Sequence, residues 1–294
     1  MQNIVKFMIG FMTLLLLAAC TVQDKGNQKS TPDSEKKPIQ ILVIGIDTRG
    51  EEKSRSDAIL VCQYDPKKRS IKIASLMRDT FVKIPTYNKG YNKLNTAYFL
   101  GGKELLVKTI KENFGITIDH VVTIDFKGFT HVIDTLVPEG IEVIVTKEMI
   151  ADMNLPYDEG KHRLHGDELL NYVRFRHDQE SDFGRVKRQQ EVMVKIKEQL
   201  TEEMTSVENF ATLPKLVEGS LKYVDSDLSM TETLSLVSTV LLHQIDSIET
   251  MTIPIENSFE NKTYEHAGAV LQMDSQKNIE ALSNFFTLPK PVSK

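Results

Sequence analysis

Aspartates and arginines stand in this sequence where apolar runs stop. Asp47 directly follows the run at residues 39–46, IQILVIGI. Arg55 and Asp57 immediately precede a second run at residues 58–64, and Arg78 and Asp79 follow a third at residues 71–77. Carboxylates gathered at one rim repel each other unless a cation compensates them. With oxygen ligands alone that cation is Mg²⁺, which usually sits between one or two carboxylates and substrate phosphates. Zinc is disfavoured, because the seven histidines form no Cys/His ligand pattern. Taken singly, each aspartate reads as turn or capping chemistry. Three of them with arginines at one rim read as a site.

A second cluster, NYVRFRHDQESDFGRVKRQQ at residues 171–190, is denser. If residues 172–176 are extended, Arg174 and Arg176 share one face and Val173 and Phe175 the other. Asp182, Phe183 and Gly184 then lead into a helix, and Arg185, Arg188 and Gln189 share a face of its first turns. Positive side chains there oppose the helix dipole. A bound phosphate satisfies both the dipole and the guanidiniums. A solvated basic face accounts for Lys187 and Lys195, but less well for arginine at the other positions. The planar arginine fork can grip phosphate oxygens in pairs.

The elements that must hold these residues alternate between strand and helix. Residues 39–46 read as a strand buried on both faces. Residues 58–64 and 71–77 read as a hairpin across the short polar turn at residues 65–70. Antiparallel pairing of the first two strands would bring Asp47, Asp57 and Arg78 to one end of the sheet, where open α/β sheets tend to bind ligands. Leu105, Leu106, Ile110 and Phe114 fall at helical spacing before Gly115. Strands are expected at residues 121–126, 141–145 and 251–255, and helices at 129–137, 186–200 and 279–286. Ser229 to Glu232 forms a capping box that opens another helix, with Leu234, Val237 and Leu241 inward. One α/β domain follows, a mixed sheet with helices on both faces.

Composition bounds the function classes. The chain has 294 residues, 40% hydrophobic and 26% charged, with a formal net charge of -5. It has no strongly basic stretch in its body, which argues against a nucleic-acid partner. The N-terminus, MQNIVKFMIGFMTLLLLAAC, has the layout of a secretory signal peptide, with Lys6 before an apolar run and small residues before Cys20. Leu17 to Cys20 resembles a lipoprotein box. That resemblance implies a signal peptide at residues 1–19 and lipidation of Cys20; an uncleaved signal anchor is the alternative. Two or more acyl chains give a stable anchor, at about 0.8 kcal/mol per buried methylene. Residues 20–38 are a polar linker with a reach of about 25 Å. The domain at residues 39–294 therefore works close to the outer face of a membrane. The other cysteine, Cys62, reads as a small core residue.

Six segments carry a family resemblance: VIGID, SRSDAI, SLMRDT, KLNTAYFLGG, LHGDELLNYVRFRH and DFGRVKRQQ. Each is weak alone, but their order resembles the LytR-CpsA-Psr family across essentially all of residues 39–294. That resemblance implies an α/β/α sandwich with a central mixed β-sheet. It implies transfer of an anionic glycopolymer, of teichoic acid or capsular polysaccharide type, from a polyprenyl-pyrophosphate carrier to peptidoglycan. Position by position, Asp47 and Asp57 resemble the Mg²⁺-associated carboxylates, and Arg55, Arg78, Arg174 and Arg176 the pyrophosphate-binding arginines. Arg185 and Gln189 resemble further head-group contacts. Asp182 would support the arginines or act as base. Met77 before Arg78 and Ala58 after Asp57 depart from the family's common residues without removing a charge. Two rival functions share the site: a hydrolase releasing the polymer to water, and a non-enzymatic regulatory lipoprotein.

Overall fold

The computed structural model of the chain describes residues 37–47, 54–178, 180–203, 211–242, 245 and 247–286. The expected signal peptide, Cys20 and nearly all of the linker lie outside the described residues. Among the described residues, no helix is long and apolar enough to cross a membrane.

The described residues open with β1 (Ile39–Asp47), β2 (Arg55–Asp65) and β3 (Ser70–Leu76). A small hairpin, β4 (Phe81–Lys83) and β5 (Tyr91–Lys93), leads into α1 (Leu94–Phe114). Then come β6 (His120–Asp125), α2 (Phe126–Leu136), β7 (Ile141–Val145), α3 (Lys147–Met153) and β8 (Gly160–Leu164). Next are α4 (Gly166–Arg174), α5 (Ser181–Glu203), α6 (Leu213–Leu221), β9 (Val224–Ser226) and α7 (Met230–Leu242). The last described elements are β10 (Ser247–Ile253), β11 (Phe259–Tyr264), β12 (Gly268–Met273) and α8 (Ser275–Phe286).

Among the described residues the central sheet has six strands in the order β10-β3-β2-β1-β6-β9. The pairs β1/β2, β2/β3 and β6/β9 are antiparallel, while β1/β6 and β3/β10 are parallel. The mixed pattern has a simple origin. The four residues between β2 and β3, Pro66 to Arg69, permit only a hairpin, whereas α1 is long enough to carry the chain across to a parallel β6.

Strand alternation splits the apolar side chains into two cores. Ile41, Val43, Leu60 and Cys62 face α2, α4, α5, α6 and α7. Leu42, Ile44, Ile59 and Val61 face α1 and α8. The result is the expected α/β/α sandwich, with β1 fully covered on both faces over residues 41–44. Each such aliphatic side chain contributes about 1.5–3 kcal/mol on burial. Local stops follow their sequence signals. Gly115 ends α1 at φ 71, with its N–H bonded to the Lys111 carbonyl at 3.0 Å. Ser229 and Glu232 form the capping box before α7, with the Ser229 N–H donating to Glu232 at 2.9 Å. The side chain of Leu241 lies outside the described residues. Cys62 is fully buried and free, and burial pushes its thiol up to about 12.

One expectation is corrected. Residues 172–174 are not extended. They form the last turn of α4, which runs to Arg174, and Phe175 and Arg176 follow outside the helix. The apolar stripe of α4, Leu169, Tyr172 and Val173, needs helical spacing to reach the core. The alternation of polar and apolar types in YVRFR fits a strand equally well, so the tertiary contact decided it.

Candidate active site

The pairing of β1 with β2 contains a register shift. Gly45 faces Ala58 but Ile46 faces Ser56, so Asp57 is an extra residue in β2. Strict alternation would put Asp57 and Ala58 on opposite faces. The bulge lets both line one cavity. Arg78, just past β3, reaches the same place and donates to the Asp57 carboxylate.

That cavity measures about 200 Å³. It lies between the sheet and the helices α2, α4 and α5. Its mouth carries Asp57, Arg78, Arg174, Arg176, Arg185 and Gln189. Its depth is apolar, with Val43, Leu60, Phe129, Leu170, Val192 and Met193.

Asp182 organises the mouth from the first turn of α5. Its carboxylate lies 2.5 Å from Arg176, 3.2 Å from Arg185 and 3.7 Å from Arg78. Arg78 also lies 3.6 Å from Asp79, which is held in turn by Lys93 at 2.8 Å. Burial works against the charge on Arg78, but Asp57, Asp182 and Asp79 together hold its guanidinium above the ordinary value. Arg185 is the reverse case. Burial first, and then repulsion from Arg78, lower its guanidinium to about 10 despite Asp182. The Nε atoms of Arg78 and Arg185 are buried and make no hydrogen bond. Buried donors without acceptors cost free energy until something accepts from them. An anion at the mouth would relieve the repulsion between the two arginines.

The neighbouring groups fix this geometry. The Arg174 guanidinium lies 4.1 Å from the centroid of the Phe126 ring. The Gln189 side chain donates to the Val173 carbonyl at 3.4 Å, which ties α5 to α4. Arg188 shares the face of Arg185 but turns inward. It bonds Asp178 and the Phe175 carbonyl, each at 2.5 Å, and braces the α4–α5 connection. Asp178 also accepts from the Ser181 N–H at 2.7 Å. A Cβ at Gly184 would lie 2.8 Å from that Asp178 carboxylate, so the first turn of α5 needs glycine there.

Seven of the residues singled out from sequence therefore converge: Asp57, Arg78, Arg174, Arg176, Asp182, Arg185 and Gln189. Two stand apart. Arg55 is exposed and lies 5.5 Å over the Phe99 ring of α1, away from the cavity lining. Asp47 pairs in register with Arg55 at the end of β1 and is not among the lining residues. Alternation from Val43 through Gly45 nevertheless puts Asp47 on the cavity's face of the sheet. Sequence reasoning missed Asp125, whose carboxylate caps α2 through the Gly128 N–H at 2.7 Å and borders the cavity. It also missed the apolar depth, whose residues look like ordinary core.

Among the described residues, no group of three or more His, Cys, Asp or Glu side chains is placed to hold a metal ion. A closed protein cage for a transition metal is therefore not what these residues form. Mg²⁺ asks for less. It takes one or two carboxylates and completes its shell with phosphate oxygens and water. Asp57, aimed into the cavity by the bulge, and Asp47 on the same face are a donor set of that kind.

The LytR_cpsA_psr family model matches residues 16–282. The chain belongs to the LytR-CpsA-Psr family. It is 39% identical over 264 residues to "Regulatory protein MsrR" of Staphylococcus aureus (strain COL), covering 89% of this chain and 78% of that protein. It is 34% identical over 230 residues to the "Polyisoprenyl-teichoic acid--peptidoglycan teichoic acid transferase TagV" of Bacillus subtilis (strain 168), covering 75% of this chain but 58% of that protein. Among solved structures, "TagT bound to LIIa-WTA" superposes with a TM-score of 0.67 at 25% identity, covering 89% of this chain and 95% of that one. Relatives within the LytR-CpsA-Psr family thus carry both regulatory and transferase names.

Proposed function

We propose that this protein transfers an anionic glycopolymer from a polyprenyl-pyrophosphate carrier to peptidoglycan at the outer face of a membrane. One observation carries the reading: a ring of arginines opens directly onto an apolar cavity. A ligand matching both halves has a polyanionic head and a hydrocarbon tail. The names of the TagV and TagT relatives support the polymer class and the acceptor.

In this reading the tail enters between Val43, Leu60, Phe129 and Val192, and the pyrophosphate stops at Arg78, Arg176 and Arg185. An acceptor sugar hydroxyl attacks the phosphorus that bears the polymer. A new P–O bond to the sugar forms, the bond to the bridging oxygen breaks, and polyprenyl phosphate leaves. The hydroxyl proton is lost to water or to the leaving phosphate. Negative charge grows on that phosphate, where the arginines already point; such preorganised donors are worth the most in a site that excludes water. Asp182 is surrounded by guanidiniums and serves to hold them in place. Mg²⁺, held by Asp57 and Asp47, would supply further charge neutralisation at the phosphates. The pyrophosphate linkage itself stores the energy, so no nucleotide is required.

The test is a transfer assay on the full chain in detergent. It supplies a synthetic polyprenyl-pyrophosphate glycan and soluble peptidoglycan oligomers, with Mg²⁺ or EDTA. Covalent product is expected with Mg²⁺, and its rate should fall about 30- to 1000-fold in Arg176→Ala, the loss of one charge-stabilising donor. Unchanged turnover in Arg176→Ala would remove the assignment. Product that persists in EDTA would remove the metal. Free phosphorylated glycan in place of conjugate would make the protein a hydrolase. The name of the MsrR relative favours one other reading, a regulatory protein. Tight carrier binding with no product from several polymers would favour it.

A further inference from the structure

A second, more open cavity of about 600 Å³ adjoins the first. The ends of β1 and β6 are the shared wall. Gly45 lines the first cavity and Ile46 the second. Phe126 lines the first and Lys127 the second, while Asp125 borders both.

The chemistry of the two cavities differs. The first is ringed by arginines. In the second, Lys127 and Lys222 are balanced by Asp125 and Asp225, and Asp225 is paired with Lys103 at 2.9 Å. Such a cavity has little preference for a polyanion. Its distinctive feature is the Tyr223 ring, which is 45% exposed and stacks on His131 with centroids 4.3 Å apart and planes at 27°. An aromatic this open would ordinarily be mobile, but here it is held from behind. The backbone at Tyr223 also rests on α2 so closely that a Cβ at Gly128 would come within 2.3 Å of the Tyr223 carbonyl oxygen. Tyr98, half-buried in the same lining, offers a hydroxyl whose proton is retained by burial and by Asp225.

A flat apolar platform with donors and acceptors around its rim matches a pyranose ring, which has a C–H face and a hydroxyl edge. We propose that this cavity is the acceptor subsite. It binds an uncharged N-acetylhexosamine unit of a glycan strand by stacking on Tyr223, and it presents that strand past Asp125 to the arginine mouth. The assignment of the sugar as acceptor rests on the transferase reading; the sugar binding itself does not.

The test uses the full chain in detergent and soluble peptidoglycan oligomers that carry neither lipid nor pyrophosphate. Calorimetry should show Tyr223→Ala binding these oligomers about tenfold more weakly, as loss of a stacked ring implies. Tyr223→Phe should keep the binding, and inorganic pyrophosphate should bind both variants like the parent. Arg176→Ala should do the opposite, weakening pyrophosphate and sparing the oligomer. In the transfer assay, Tyr223→Ala should raise the acceptor KM about tenfold and leave the carrier KM unchanged. Oligomer binding indifferent to Tyr223→Ala, or a rise in carrier KM in place of acceptor KM, would overturn the proposal. Transfer that proceeds normally in Tyr223→Ala would do the same while leaving the transferase reading intact. Oligomer binding through Tyr223 in a protein that transfers nothing would uphold the sugar site and sink the transferase.

Discussion

Replacing Asp182 with asparagine isolates what holds the arginine mouth together. The side chain keeps its size and loses its charge. Arg78 still has Asp57 and Asp79 beside it. Arg185 has less support: Asp57 acts on it only from beyond ion-pair distance, its side chain is 5% exposed, and its ion-pair partner is the lost carboxylate at 3.2 Å. Removing one member of a buried pair costs about 3–5 kcal/mol. The amide oxygen still accepts a hydrogen bond, so the lower end, about 3 kcal/mol, is expected here. The Arg176 contact adds little, because that side chain is 43% exposed and screened by water. For a domain of this size about 3 kcal/mol lowers Tm by roughly 6–12 °C. Calorimetric melting of parent and variant reads that shift. Titration with inorganic pyrophosphate then separates two roles. A carboxylate that positions arginines loses pyrophosphate affinity along with turnover. A carboxylate that only takes the acceptor's proton loses turnover alone. An unchanged Tm with unchanged pyrophosphate affinity would refute the positioning argument, whatever happened to the rate.

Two other outcomes are open to direct measurement. Ala58 sits where the charged mouth meets the apolar cavity, against Gly45; Ala58→Leu should narrow that throat and discriminate against long polyprenyl carriers. Turnover of long and short prenyl-pyrophosphate substrates checks this, and equal losses for both would count against the cavity as the tail's path. Cys62 ionises at about 12 when folded against a reference of 9.0. Its thiol is neutral in both states below pH about 9; above that, only the unfolded thiol ionises, so stability falls as pH rises, by about 1.4 kcal/mol per unit until about pH 12. Urea unfolding at pH 8 and pH 10 should therefore show the parent losing about 1 kcal/mol more than Cys62→Ala, and equal losses would contradict the burial argument.

Much of the scaffold was legible because its signals are local. The almost continuously apolar run in β1 marked a strand covered on both faces, and the short polar turn at residues 65–70 marked a hairpin. Gly115 and the Ser229–Glu232 box marked helix ends through backbone bonds that involve neighbours in sequence. The site was half legible. Polar residues interrupting apolar strands drew attention to Asp57, Arg78 and Arg176, since buried charge is costly without a reason. YVRFR misled, because two faces alternate there at helical as well as strand spacing.

The sequence by itself determined the fold class, the charges at the site and the arginine-rich start of α5, since these depend on residue type and short-range pattern. Only the tertiary structure decided which charges meet. The bulge that turns Asp57 into the cavity comes from the mismatch of two paired strands, which neither strand encodes alone. The gathering of three arginines on Asp182 joins residues more than a hundred positions apart. The same holds for the apolar cavity and for the Tyr223 platform. Groove and core use the same side chains, and the difference between them is whether another element fills the space in front.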